Sequence, residues 1–409
     1  MQNNEQNEPQ KVETTEKTEK RRTGNVLLAV ILAAVIIASG VFIAKFASSS
    51  SNGNESESEK TTLSADEKTT GSALKNENEI SQSGSGFPLS FSSNDIVDIE
   101  AVGSDVYVVS NEILFCISSS GKLLFSHVLN YSEPVIKSNG NYGIVFDRLS
   151  GKYVIISKKK VVHEGQSENA SQILTAQVSS DGSYAIASRS NESACILTYY
   201  DKNGKEKFSW ACTKDHIVSV AISSGGRELA CAALSASDGE IETKVYLLDI
   251  YSDETEFEYT VKGTAGIDIR FASSSKLMLL CSDRRLLIGS KGEGSIESTE
   301  EYSSSLLNSF SDKDGYSATL TSKFGSFGGY EIKNYSPDNS VNYVFETDSK
   351  VTDVLCSGKK TYILTESELI CVNSFGKEGK RKKLEAAGLG MCLSSGTVYY
   401  YSLGNLYKD

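Results

Sequence analysis

From Ile96 to the last residue, short apolar or alternating runs are separated by clusters of Gly, Asn, Asp and Ser. One corner recurs. "VSSDGSYAIAS" (178–188) is an apolar run, a Ser-Asp-Gly corner and an alternating run, and variants follow as "VGSDVYVVS", "KSNGNYGIVF", "ISSGGRELACAA", "ASSSKLMLLCS", "SDKDGYSATLTS", "CSGKKTYILT" and "LSSGTVYYYS". The spacing is roughly 40 residues, a period of propellers, solenoids or arrays. The third period resolves into "ILTAQVSS", "SYAIASRS", "SACILTYY" and "KEKFSWAC". Each is short and rich in β-branched or aromatic residues, and no amphipathic helix fits between them. Four strands per period without a helix describe a propeller blade.

A second corner fixes the register. "SSSGK", "DKNGK" and "NSFGK" fall between the third and fourth strands of their blades, where Gly121, Gly204 and Gly376 supply positive φ. Blade starts fall near Ile96, Pro134, Ile173, Ile217, Ile267, Leu306, Val351 and Leu389. The last blade has three strands, and "GFPLSFSS" (86–93) is a strand without a hairpin partner. If it completes the last blade, the ring closes and no edge is left open. The expectation is an all-β propeller of eight four-stranded blades, with seven as the alternative because the fifth and sixth periods are weakly patterned.

Ahead of the repeats the pattern changes. Residues 1–22 are polar and read as a disordered tail. Residues 23–45 contain no charge between Gly24 and Ala44, and a helix of roughly 20 such residues spans the ~30 Å hydrocarbon layer. Lys17, Lys20, Arg21 and Arg22 precede it and only Lys45 follows closely, which places the N-terminus in the cytoplasm and the propeller outside. A cleaved signal peptide, with "ASG" at 38–40 as its processing site, is the rival reading; the apolar run continues past that site. Residues 46–85 are Ser- and Glu-rich and read as a flexible linker, with a mean reach of roughly 35 Å. The propeller is assigned to 86–409.

Net charge is −12, so a nucleic-acid partner is excluded as an expectation. The eight cysteines fall in apolar strand positions without a CxxC spacing, which points to buried free thiols, with Cys212 the expected exception. His127, His163 and His216 lack metal-ligand spacing. "SDKDGY" (311–316) has the look of a calcium loop, but it lacks the distal Glu and reads as a turn. Neither a metal nor a cofactor is expected. Lys377, Lys380, Arg381, Lys382 and Lys383 form a basic patch on an outer strand, either edge protection or a contact for anionic cell-wall polymer. Asp105, Asn139, Asp181 and Asp314 lie near first-to-second-strand corners and form a candidate ligand rim.

The rhythm of "DVYVVSNEILFCISSSGKLLFSHV" (105–128) resembles quinoprotein-like and WD-type propeller repeats, although Trp210 is the single Trp and no Trp-Asp dipeptide occurs. The layout of short tail, one anchor, polar tether and propeller resembles a bacterial family of single-pass, membrane-anchored propellers of unknown function. That resemblance implies no site. The expected function is a noncatalytic binding or scaffold module for an extracellular protein, peptide or cell-envelope glycan. The alternative is an enzyme acting on cell-wall glycans or using a quinone, and clustered acids of shifted pKa in a deep channel would favour it.

Overall fold

The computed structural model describes residues 80–82, 86–91, 96–168, 171–252, 255–290, 294–323 and 328–409. The segments read as tail and membrane anchor, and nearly all of the linker, lie outside these residues. No described helix is long and apolar enough to cross a membrane.

The repeats form eight antiparallel sheets, seven of four strands and one of five. Their first strands are Asp98–Val102, Pro134–Asn139, Ile173–Val178, His216–Ile222, Gly266–Ser273, Leu306–Ser311, Val351–Ser357 and Gly390–Ser394. Each begins within two residues of the expected start. Contacts between consecutive first strands, including Gly390–Ser394 with Asp98–Val102, join the blades everywhere but between blades five and six, where Arg285 makes the link, and the ring closes around a central channel. The eight-bladed reading is the one observed.

Burial follows from place in the blade. Second and third strands are covered on both faces by neighbouring blades, and runs such as Tyr184–Arg189 and Arg284–Gly289 are buried almost throughout. Fourth strands stand at the perimeter and alternate, as Lys160–Gln166 does. Seven apolar clusters each bridge one pair of consecutive blades.

The eighth junction, between blades five and six, is built differently. Arg285, fully buried, crosses it from the third strand of blade five. Its Nε donates to Asn339 Oδ1 at 2.6 Å and one terminal nitrogen donates to Ser317 Oγ at 2.6 Å. The guanidinium lies 3.9 Å from the centre of the Tyr335 ring. A polar clamp at this junction explains why the fifth and sixth periods carry the weakest apolar pattern.

Closure occurs as the sequence suggests. Leu89–Phe91 is the fourth strand of the last blade, with Leu89 paired to Leu406 and Ser90 to Asn405. Leu89 and Phe91 are buried in the cluster that joins blades eight and one. A short strand, Ile80–Gln82, pairs outside it and extends this sheet into the stretch read as linker.

Third-to-fourth-strand corners behave as expected, with φ of 85°, 77° and 76° at Gly121, Gly204 and Gly376. At Gly204 an added Cβ would also stand 2.4 Å from the His163 ring, which is packed against Tyr153 and Tyr184. Gly204→Ala is therefore expected to lower stability by about 2 kcal/mol in denaturant unfolding, from φ strain and the clash together. An unchanged midpoint would remove this account of the corner.

The cysteines require one correction. Cys212 is buried, and Cys371 is the partly exposed thiol. Cys371 sits opposite Lys380 of the exposed outer strand, whereas Cys212 lies in the apolar cluster with Cys195.

Candidate functional site

The channel wall is made by the first strands. In five of them the register slips one residue after the start, at Ile173/Thr175, Ile217/Ser219, Gly266/Asp268, Leu306/Asn308 and Val351/Asp353. Such a bulge inserts one unpaired residue and re-aims those that follow. The five residues after the slips are Thr175, Ser219, Asp268, Asn308 and Asp353, all polar. Asp98 holds the same place in blade one, and alternation brings Glu100 and Arg270 to the channel two residues further on.

These groups tie neighbouring blades together. Ser219 Oγ donates to Asp268 at 2.7 Å, Asn308 Nδ2 to Asp353 at 2.9 Å, Lys137 Nζ to Thr175 Oγ1 at 3.1 Å and Ser138 Oγ to Glu100 at 2.7 Å. Asp353 also accepts from the backbone N–H of Val354 and of Met391 in blade eight. Asp98 accepts from its neighbour Ile99 N–H.

Charge is distributed unevenly. Asp98, Glu100 and Asp353 converge on a cavity of about 320 Å3, walled also by Asn308, Phe310 and Met391. Lys137 and Arg270 lie on other blades. The three carboxyls are partly open to the channel, but protein surrounds the channel on all sides. Loss of hydration therefore dominates. It pushes Asp98 up to about 8, with Glu100 adding repulsion. Glu100 rises to about 7 for the same reason, opposed by the Ser138 hydroxyl. Asp353 rises to about 6, held back by its three donors. Desolvation likewise lowers Lys137 and Arg270.

A carboxyl whose folded pKa is raised binds its proton more tightly folded than unfolded, so its contribution to stability falls as pH rises. The window runs from the unfolded carboxyl range near 4 to the folded values of about 6 to 8. Between pH 5 and pH 8.5 the propeller is expected to lose on the order of 2 kcal/mol from this cluster, since channel water offsets part of the burial. Asp98→Asn should flatten the profile. A wild-type unfolding midpoint no lower at pH 8.5 than at pH 5 would contradict this.

The sequence-derived rim residues stand at one end of the ring. Asp105 opens its second strand, 3.9 Å from Lys159 Nζ. Asn139 ends its first strand, and Asp181 accepts from the Ser183 backbone and hydroxyl at 2.9 and 2.6 Å. Asp314 lies in a turn organised by Asp312, which accepts from the backbone N–H of Asp314 and Tyr316 and whose other oxygen takes the Gly358 N–H. The calcium-like "SDKDGY" is thus a turn and a tie between blades. Blade six faces blade two across the ring, so Asp314 is not gathered with the other rim residues.

The basic patch occupies the turn before, and the whole of, the outer strand Glu378–Lys383. Arg381 pairs with Glu368 and Glu378, while Lys380 and Lys382 pair with Asp409. Three of the five cations therefore have carboxylate partners, which weakens the patch as an anion surface. Among the described residues no group of three or more His, Cys, Asp or Glu could hold a metal ion.

Sequence reasoning missed the channel carboxylates. Their signal was present: an acidic residue one or two positions after the blade start, in "VDIEAV", "GIDIRF" and "VTDVLC".

At the opposite end, where the first strands begin, the residues inserted by the slips are mostly apolar. Ile267 and Leu307 are 44% and 53% exposed, and Leu389, next to the start of the last first strand, is 38% exposed. Leu149 and Leu403, in turns between second and third strands, are exposed at the same end.

A search of curated proteins returned no match. Solved structures share the fold. Sqt1 of Saccharomyces cerevisiae is 12% identical with a TM-score of 0.54, over 77% of this chain and 96% of its own. BamB from Moraxella catarrhalis is 13% identical with a TM-score of 0.50, over 80% of this chain and 99% of its own. At such identity the likeness concerns architecture alone. A family model matches residues 88–404, from the closing strand to the last hairpin, and the chain accordingly belongs to the family of unknown function DUF5711.

Proposed function

We propose that this propeller is a noncatalytic binding or scaffold module, held outside the cell membrane by the 23–45 segment on its 46–85 linker, with a protein or peptide as partner. The observation that carries the reading is the apolar mouth. Ile267, Leu307 and Leu389 are large side chains left open around one end of the channel, with Leu149 and Leu403 beside them. Exposed apolar surface gathered on one face of a folded protein marks an interaction site more often than scattered single residues do. At the opposite end Asp181 is engaged in its own turn and Asp105 lies beside Lys159, while the exposed Tyr251 and Phe375 stand apart in the outer corners of blades four and seven.

A photocrosslinking residue placed at Leu307 in intact cells tests this, with one at Asp181 as the control. A discrete protein adduct from Leu307 and not from Asp181 is expected. Adducts from Asp181 alone would move the site to the other face. No protein adduct, together with retention of cell-wall fragments by the purified protein, would favour a glycan ligand.

The raised carboxyls support a second reading, a cell-wall-glycan hydrolase using the channel acids. Glu100, poised near neutrality, suits a general acid. Its test is release of soluble fragments from cell-wall glycan, lost in Glu100→Gln. Against it, Asp353 is engaged by three donors that link blades six, seven and eight.

A further inference from the structure

Blade three carries a pair of thiols that neither reading uses. Cys195 opens the third strand, Cys195–Tyr200, and Cys212 ends the fourth, Glu206–Cys212. They are directly opposed in the antiparallel register. Opposed residues in such a ladder have Cα atoms about 4.5–5.5 Å apart, inside the range a disulfide spans. Both are buried, and Cys231 of blade four belongs to the same cluster. The fourth strand stops at Cys212, and the exposed Thr213 and Lys214 follow at once. Beyond them Asp215 is fixed by the Tyr246 hydroxyl at 2.6 Å and the Lys244 ammonium at 3.4 Å, and its backbone carbonyl accepts from the Cys195 thiol at 3.4 Å.

We propose that Cys195 and Cys212 are a redox-active dithiol that closes to a cross-strand disulfide within blade three. Cys212 is the attacking sulfur. The adjoining Cys195 thiol and the backbone N–H groups of Asp215 and Lys214 favour its thiolate, so its pKa is lowered despite burial. Cys195 is raised, first by that same contact. These are the features of a nucleophile and a resolving partner.

With a small-molecule disulfide as oxidant the reaction balances. The Cys212 thiolate attacks one sulfur of oxidised glutathione, the S–S bond breaks, and one glutathione leaves as thiolate. Cys195 then gives up its proton and attacks the Cys212 sulfur, which releases the second glutathione. The protein loses two thiol protons and two electrons, and the oxidant becomes two thiols. Access to Cys212 comes from fraying of the strand end beside Thr213 and Lys214. The inference does not depend on which propeller face binds a partner.

The test uses the full-length protein. It is incubated folded with oxidised glutathione, alkylated, digested with trypsin and mapped without reduction. Cleavage after Arg189, Lys202, Lys207 and Lys214 places the two thiols on peptides 190–202 and 208–214. The expected result is one species joining these peptides, lighter by two hydrogens than their sum. It should vanish on reduction and in Cys195→Ala, which should instead retain glutathione on Cys212. The oxidised wild type should also unfold several degrees higher than the reduced one, because the cross-link closes a loop in the unfolded chain. Both peptides recovered alkylated, a persistent glutathione adduct on wild-type Cys212, or a link from Cys212 to Cys231 would each overturn the proposal. Wild-type mapping alone decides the matter if Cys195→Ala does not fold.

Discussion

A chain that begins at Ile96 should no longer be a stable monomer. It lacks Leu89–Phe91, the fourth strand of blade eight, and leaves Asn405–Lys408 as an open edge. Leu89 and Phe91 are buried between blades eight and one. Their removal costs about 5 kcal/mol of packing, taking two large core side chains at the usual loss for truncation to Ala. The bared edge is also a template for pairing with a second chain. Size-exclusion chromatography should show dimers or aggregates, and thermal unfolding should move down by roughly 10 °C or more. A peptide of residues 86–93 added in trans should restore much of the lost midpoint. An Ile96-start protein that stays monomeric with its unfolding temperature intact would show that closure through this strand is dispensable.

Arg285→Ala is expected to be the most damaging single substitution. It leaves Asn339 Oδ1 and Ser317 Oγ without the donor they share and opens a large void at the one junction clamped by a guanidinium. Each neutral acceptor left unpaired costs about 1–3 kcal/mol, and the void adds to it. A second variant separates charge from packing. Burial, and then repulsion from Arg270, pull the Arg285 guanidinium down to about 10, so its charge is held at a cost. Arg285→Met keeps most of the volume without that cost and should lose less than half as much stability as the alanine. Urea unfolding of the three proteins side by side decides it. If Met is as harmful as Ala, the hydrogen bonds to Asn339 and Ser317 are what hold the junction; if neither variant loses stability, the clamp has no structural weight.

Most of the architecture was legible because blades repeat. Two covered faces force the continuous runs "DVYVV" and "ILFCI", and tight corners force Gly121, Gly204 and Gly376, so strand and turn signals agreed outside the fifth and sixth periods. Blades five and six read poorly for a definite reason. Ser317, Asn339 and Tyr335 are polar or half-polar residues placed to receive Arg285, and a hydrophobicity pattern takes such positions for surface. The channel was illegible for a related reason. Asp268, Asn308 and Asp353 follow local slips in register, and a slip moves side chains to another face without altering composition. Asp105 and Asp181 stood out because Asp at a corner is conspicuous, yet their carboxylates serve the turns or sit beside a lysine. The basic run 377–383 lost most of its promise once Glu368, Glu378 and Asp409 were found beside it. Those acids are distant in sequence or sit among the lysines unremarked.

The strand that closes the ring belongs to the segment through which everything upstream is connected. Ser90 meets Asn405 across 315 positions of chain, so the ring cannot lock until the far C-terminal hairpin exists. Any mechanical load on the upstream segment enters the disc at this seam. It is borne first by the Ile80–Gln82 pairing, then by the few ladder bonds of Leu89–Phe91 and by the Leu89 and Phe91 side chains, ahead of every other blade. Under tension the propeller should yield there, as a ribbon parts at its clasp, while the remaining seven sheets keep their form.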